Sequence, residues 1–196
     1  MQEMRIFLAG VGGQGTLTAT NLLSLMGLDK GLDVCSGEIH GMAQRGGIVE
    51  STVLLGGYLS PRIDHGEADV LLGFEPLESL RALPYLRPGR TLLSNSDPTY
   101  PVSVSLGRET YPGMEHIRTK CAACAGSALF IPCKELAERA GTVQCANMVL
   151  LGAFCALQDS PFDPVDLERA VSKYLPAKIR DVNLEAARLG GEAAKA

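Results

Sequence analysis

Nothing in this sequence reads as a membrane span, and little in it suits nucleic acid. The longest apolar run, Met148 to Leu157, is about ten residues and contains Gly152, whereas a spanning helix needs roughly twenty. The amino terminus, Met1-Gln2-Glu3-Met4-Arg5, has neither a basic leader nor a long apolar stretch, so it does not read as a signal peptide. Positive charge is in the minority: 18 lysines and arginines face 22 acids, for a formal charge of -4. No cationic run overrides that balance, which argues against a nucleic-acid binder relying on general basicity. The signatures of self-sufficient catalysis are missing as well. There is no G-x-S-x-G elbow, no H-E-x-x-H, and no Walker lysine, since Thr16 follows Gly15 directly. No pair of carboxylates stands out. These absences predict a soluble cytoplasmic chain without all the parts of an enzyme.

What is present suits one folded unit. A length of 196 residues, 46% hydrophobic and 20% charged, supports one domain over residues 1–196 with a proper core. Six cysteines sit at positions 35, 121, 124, 133, 145 and 155. A core of this size needs no disulfide staples, and free thiols suit a reducing cell. Cys121-Ala122-Ala123-Cys124 is a C-x-x-C with Cys133 nine residues beyond it. It could be a metal corner or a redox pair. A fourth ligand at comparable spacing is not evident, so ordinary packing is favoured and no metal is assigned.

Local patterns alternate between strand and helix. Residues 4–9 read as a strand and Gly15 to about Lys30 as a helix stopped by Gly31. Further strands are predicted over 32–36, 48–55, 69–74, 91–94 and 127–131, with a turn at Arg87-Pro88-Gly89-Arg90. Pro76 opens a helix through about Leu86, at the first helical position where its missing N–H does no harm. The stretch 97–112 reads as an irregular excursion with one strand, Val102 to Leu106. Helices are expected over 133–140, 142–157, from Pro164 to an interruption at Pro176, and 179–189, with the end fraying from Gly190 onward. The helix over 142–157 is apolar nearly all round and should be buried. The expected architecture is an α/β Rossmann-like, doubly wound, mostly parallel sheet with helices on both faces and a helical carboxyl-terminal segment. Ligands of such sheets bind beyond the carboxyl ends of the strands.

Two polar segments follow strands and should meet on that edge. Gly10, Gly12, Gly13 and Gly15, with Gln14 among them, put four glycines within six residues. In a turn entering a helix, such glycines let backbone N–H groups approach an anion. The dinucleotide reading also wants a carboxylate after the second strand, for which Glu38 is the nearest candidate. The plainer alternative is a tight turn allowing close helix–strand packing. The second segment, Glu38 to Gly47, puts His40, Gln44 and Arg45 within six residues and closes with Gly46 and Gly47. Arg45 is the best oxyanion fork, and His40 could carry a proton or donate a hydrogen bond. So polar a segment suggests a site or an interface. His65 and His116 have no comparable company.

Gly10-Val11-Gly12-Gly13-Gln14-Gly15, His40-Gly41-Met42-Ala43-Gln44-Arg45-Gly46-Gly47 and Asn147-Met148-Val149-Leu150-Leu151-Gly152-Ala153 together resemble the gamma-type domain of the 2-oxoacid:ferredoxin oxidoreductases, in its indolepyruvate branch. The resemblance runs nearly end to end and includes Asn183-Leu184-Glu185-Ala186-Ala187. It implies a complex that oxidatively decarboxylates an arylpyruvate to an acyl-coenzyme A and passes two electrons to ferredoxin. In this family thiamine diphosphate and the iron–sulfur clusters belong to a larger alpha subunit, so this chain would bind no cofactor tightly. Gly10 to Gly15 would form the tight turn, and His40, Gln44 and Arg45 would face the partner or the channel for substrate and coenzyme A. Ile48 departs from the small hydroxyl residue common in relatives, and the 97–124 stretch matches no family motif.

Overall fold

Strand β1 (Met4–Val11) is buried at seven of its eight positions, as an inner strand covered on both faces must be. The structure, a computed structural model, describes residues 3–40, 47–101, 104 and 106–195, at His40 the backbone alone. After β1 come α1 (Thr16–Asp29), β2 (Val34–His40), β3 (Ile48–Leu55), β4 (Ala68–Gly73), α2 (Pro76–Ala82) and β5 (Leu86–Asn95). The second half carries α3 (Met114–Cys124), β6 (Ser127–Ile131), α4 (Cys133–Ala140), α5 (Ala146–Cys155), α6 (Pro164–Tyr174) and α7 (Ala177–Ala193). Single 3-10 turns at Leu83–Tyr85 and Val143–Cys145 lead into β5 and α5.

The six strands lie in the order β2-β3-β1-β4-β5-β6. β1, β4, β5 and β6 pair in parallel, and β3 pairs antiparallel with both β1 and β2. β2 and β3 therefore form a hairpin, and β3 alone among the described strands runs against the rest. The consequence for function is geometric. The carboxyl ends of β1, β2, β4, β5 and β6 and the start of β3 share one edge of the sheet.

Each face has its own core. On one face Ile6, Leu8, Val53, Leu55, Val70 and Leu72 pack with α1 and α4 to α7. On the other, Phe7, Ala9, Leu54, Leu71 and Leu92 pack with α2 and α3. Helix α5 is buried at every residue from Asn147 to Cys155, in keeping with its all-round apolar sequence. α7 crosses it where Gly152 and Gly190 leave no room for a side chain: a Cβ would stand 1.9 Å from the Ala187 carbonyl oxygen and 1.9 Å from that of Val149, respectively.

Helix starts follow from sequence. Pro76 opens α2 behind Glu75, whose carboxylate accepts from the Glu78 amide at 3.0 Å. Asp163 and Asp166 form a reciprocal capping box ahead of Pro164 on α6.

Several local expectations shift. β2 begins at Val34 and runs on through Glu38 to His40, because pairing with β3 continues to Val49, so the polar segment begins inside a strand. The turn expected at Arg87–Arg90 belongs to β5, which bulges against β4 there. α2 stops at Ala82, where Pro84 follows two residues on. Helix α3 has no counterpart in the sequence reading. Its apolar face is thin, with Ile117 and Cys121 its buried residues. Of the expected strand 102–106, residues 102, 103 and 105 lie outside the described residues, and Val104 and Leu106 belong to no strand. α7 runs to Ala193 instead of fraying at Gly190, since Gly190 is buried against α5.

Candidate functional site

The glycine turn is shaped by two left-handed residues, Gly13 at φ 101° and Gly15 at φ 78°, conformations that side chains oppose. Gly10 is constrained differently: a Cβ there would lie 2.9 Å from both Gln14 Oε1 and Phe74 Cβ. Gln14 folds back so that Oε1 accepts from the Val11 amide at 2.9 Å, while Nε2 donates to Thr99 Oγ1 at 3.1 Å. The Gly12 amide donates to the Gly47 carbonyl at 2.9 Å. The structure thus brings the two polar segments to one edge through Gly10–Gly15 and Gly47. The His40 side chain and residues Gln44, Arg45 and Gly46 lie outside the described residues.

Asn147, from the third segment, joins them. Its Nδ2 donates to the Gly15 carbonyl at 3.3 Å, and a Cβ at Gly15 would lie 2.6 Å from that nitrogen. Helix α5 therefore butts directly on the turn, and only glycine fits between.

A cleft of about 410 Å³ opens beside this junction, lined by Gly13, Gln14, Asn95, Thr99, Lys134 and Asn147, among others. Its far wall is the loop that follows β5. Asn95 Nδ2 donates to the Phe74 carbonyl at 3.2 Å, and Oδ1 accepts from the amides of Asp97 at 3.1 Å and Cys133 at 3.3 Å. Glu75, only 2% exposed, holds the next stretch. Besides capping α2, it accepts from the Thr99 amide at 3.1 Å and from the Tyr111 hydroxyl at 2.6 Å. Burial, and then the bond to this carboxylate, push the Tyr111 hydroxyl well above its ordinary range, so it stays a donor. A continuous chain of contacts runs from Tyr111 through Glu75, Thr99 and Gln14 to the glycine turn.

The chemistry on offer is binding. Side-chain amides, the Lys134 ammonium and the Asp97 carboxylate line the cleft beside the glycine turn, an arrangement suited to a polar headgroup. The Cys133 thiol is pushed up by burial and by Asp97, which keeps it protonated and a poor nucleophile. Sequence reasoning missed Glu75, Asn95, Thr99 and Tyr111. Their only local signal was the position of Glu75 ahead of a helix-opening proline.

Glu38 does not complete a dinucleotide site. β3 lies between β1 and β2, so Glu38 stands two strands from the turn, where a dinucleotide fold would place it next door. The C-x-x-C lies in the last turn of α3, with Cys121 buried and Cys124 exposed. The carbonyl end of a helix disfavours thiolates, and Cys121 is pushed up to about 11 by burial and by Cys124. Among the described residues, no three His, Cys, Asp or Glu side chains are grouped to hold a metal ion. In the native chain a thiol reagent at pH 8 is expected to modify Cys124 within minutes. Cys121, Cys133, Cys145 and Cys155 should react only on unfolding, which peptide mapping reads directly. Rapid modification of Cys121 would contradict this packing.

The fold and the junction of the three segments define a class. The sequence profile of the pyruvate ferredoxin/flavodoxin oxidoreductase family matches residues 5–193, and the chain belongs to that family. It is 41% identical to the indolepyruvate oxidoreductase subunit IorB of Pyrococcus horikoshii, over 100% of this chain and 98% of the relative. That bears out the small-subunit resemblance read from the sequence. Two solved structures share the fold. Pyruvate oxidoreductase subunit PORC of Thermotoga maritima superposes with a TM-score of 0.74 at 20% identity, over 98% of this chain and 97% of that one. A 2-oxoglutarate:ferredoxin oxidoreductase from Magnetococcus marinus, with 2-oxoglutarate, coenzyme A and succinyl-CoA bound, superposes at 0.71 and 21% identity. That match covers 100% of this chain but 31% of the other.

Proposed function

We propose that this chain, one domain over residues 1–196, is the small subunit of an indolepyruvate-type 2-oxoacid:ferredoxin oxidoreductase. The holoenzyme converts an arylpyruvate and coenzyme A to acyl-coenzyme A and carbon dioxide, and two ferredoxins take up the two electrons. A larger subunit carries the thiamine diphosphate and iron–sulfur clusters, and the thiamine supplies the carbanion chemistry when bound. The complex works in the cytoplasm, and no described helix is long and apolar enough to cross a membrane. The end-to-end 41% identity to an indolepyruvate oxidoreductase subunit carries this reading. A cleft equipped to bind but not to catalyse supports it.

Within the complex, the edge formed by Gly10, Gly12, Gly13, Gln14, Gly15 and Gly47 receives the anionic part of coenzyme A. Arg45 and Gly46, which precede Gly47 in sequence, are assigned to the same ligand, with Lys134 from across the cleft. His40 and Gln44 face the partner's active centre. An Arg guanidinium or Lys ammonium on a phosphate strengthens binding by a charge-assisted hydrogen bond. Arg45→Ala and Lys134→Ala should therefore each raise the KM for coenzyme A about tenfold, roughly 1.4 kcal/mol. Turnover at saturating coenzyme A should change less than twofold in the purified complex. Unaltered KM in both variants would remove coenzyme A from this edge.

A further inference from the structure

The cleft beside the glycine turn is lined by polar groups of two kinds, those already bonded within the chain and those left over. Asn95 uses both ends of its amide on backbone groups. So does Asn147, whose Oδ1 accepts from the Met148 amide at 3.0 Å while Nδ2 holds Gly15. Gln14 is fixed too, because the Val11 amide claims its oxygen and leaves its nitrogen to donate to Thr99. Thr99 Oγ1 is thereby an acceptor on that side, and its own proton is left to donate into the cleft. The Lys134 ammonium and the Gln144 carboxamide also line the cleft, both exposed and both without a side-chain partner among the described residues.

The groups left over are not all donors. Asp97 Oδ2 accepts from the backbone amide of Lys134 at 2.7 Å, which seats this carboxylate on the first turn of α4, against the residue that carries the ammonium. Its Oδ1 has no donor among the described residues. A bare anion would meet repulsion from Asp97 along with attraction to Lys134. The pair suits a ligand that presents a hydroxyl beside an acidic group, the hydroxyl donating to the carboxylate and the acid accepting from the ammonium. Apolar surface completes the cleft, from Pro98 on the loop after β5 and from Val143, 47% exposed, on the turn before α5. The volume of about 410 Å³ lies within the range of roughly 300–1,000 Å³ usual for small-molecule sites.

We infer that this cleft holds the nucleotide end of coenzyme A, with the ribose 2′-hydroxyl on Asp97, the 3′-phosphate on Lys134, and the purine against Pro98 and Val143 with its edge toward Gln144. The inference deepens the coenzyme A reading above and rests on it. Of the parts of that molecule, the 3′-phosphoribose alone carries a hydroxyl on the carbon next to one bearing a phosphate. The diphosphate has no donor to offer Asp97 and suits the backbone amides of the glycine turn. Thr99, bonded to Gln14 of that turn, donates its proton to the same diphosphate. The pantetheine arm carries no charge and would leave the Lys134 ammonium without a counterion.

The test compares coenzyme A with dephospho-coenzyme A, which lacks the 3′-phosphate, in the purified complex. The unaltered complex should favour coenzyme A about tenfold in kcat/KM, the worth of one charge-assisted contact. Lys134→Ala should bring the two within about twofold by losing on coenzyme A alone, and Lys134→Arg should restore the preference. Calorimetry on the same complex reads the site without turnover. Adenosine 3′,5′-bisphosphate should bind about tenfold more tightly than adenosine 5′-monophosphate, and Lys134→Ala should equalise them. Asp97→Asn, which keeps an acceptor for the Lys134 amide, should weaken the bisphosphate about threefold and leave its 2′-deoxy analogue unchanged. Equal loss on the deoxy analogue would take the hydroxyl off Asp97. Equal loss on both coenzymes in Lys134→Ala would put the lysine on a phosphate common to both and overturn the placement. An unaltered complex that uses both coenzymes alike would overturn it too, with the coenzyme A reading still standing. A complex without any coenzyme A-dependent oxidation would remove that reading, and this inference with it.

Discussion

Gly152→Val is expected to destabilise the chain by about 4 kcal/mol, at the severe end of what overpacking a core does. The reason is the crossing of α5 and α7. A Cβ at 152 would overlap the Ala187 carbonyl at 1.9 Å, and one at Gly190 would meet the Val149 carbonyl at the same distance. Those neighbours are helix backbone, which cannot turn aside as a side chain would. The helices must separate, and the contacts of Phe154, Leu151 and Ala186, all fully buried, loosen with them. For a chain of this length the midpoint of thermal unfolding should fall by roughly 10 °C. Gly191 supplies the contrast one residue along. A Cβ there finds the Gly152 carbonyl oxygen at 3.4 Å and Ala156 Cβ at 3.7 Å, which is ordinary contact. Gly191→Ala should therefore gain up to about 1 kcal/mol from helix propensity. Thermal melts of the two variants suffice, and equal stability in both would refute the close crossing.

Glu75→Ala should cost about 3 kcal/mol, through loss of a helix cap worth about 1 kcal/mol and of hydrogen bonds to a buried charged acceptor. Three donors converge on this carboxylate, the Glu78 amide, the Thr99 amide and the Tyr111 hydroxyl. Tyr111→Phe removes one of them and should cost about 1.5 kcal/mol by the same rule. The double variant should be no less stable than Glu75→Ala alone, because the hydroxyl has lost its acceptor already. That non-additivity distinguishes one network from two independent sites. Hydrogen exchange should speed up at Thr99 and Val11 in Glu75→Ala, since Thr99 receives Gln14, and Gln14 holds the Val11 amide. Additive losses with protection at Val11 intact would mean that the turn does not depend on Glu75.

How much of this was legible in sequence depended on how local each signal was. β1, α1, β3, β6 and α4 each announced themselves by periodicity and by a glycine or proline at the boundary. The glycine turn was readable because its conformational demand is local, as the positive φ of Gly13 and Gly15 bears out. The antiparallel direction of β3 was not, because a second strand read as ending at Ser36 leaves room for a crossover before Ile48, whereas β2 runs on to His40 and leaves only a hairpin-length connection. Helix α3 hid behind a polar sequence with two buried contacts. Glu75, Asn95 and Thr99 were invisible for a different reason. Beyond the local bonds of Glu75 to Glu78 and of Asn95 to Asp97, each acts on a partner 21 or more residues distant, which the neighbouring sequence does not reveal.

The central claim is that this chain completes an oxidoreductase it cannot constitute alone. The most direct test is anaerobic, coenzyme A-dependent oxidation of indolepyruvate with ferredoxin or a viologen as acceptor, measured for each subunit separately and for the co-expressed pair. Activity in the pair alone is the expected result, with the two chains eluting together. Robust indolepyruvate oxidation by this chain without its partner, or a stable pair that oxidises no 2-oxoacid, would contradict the account.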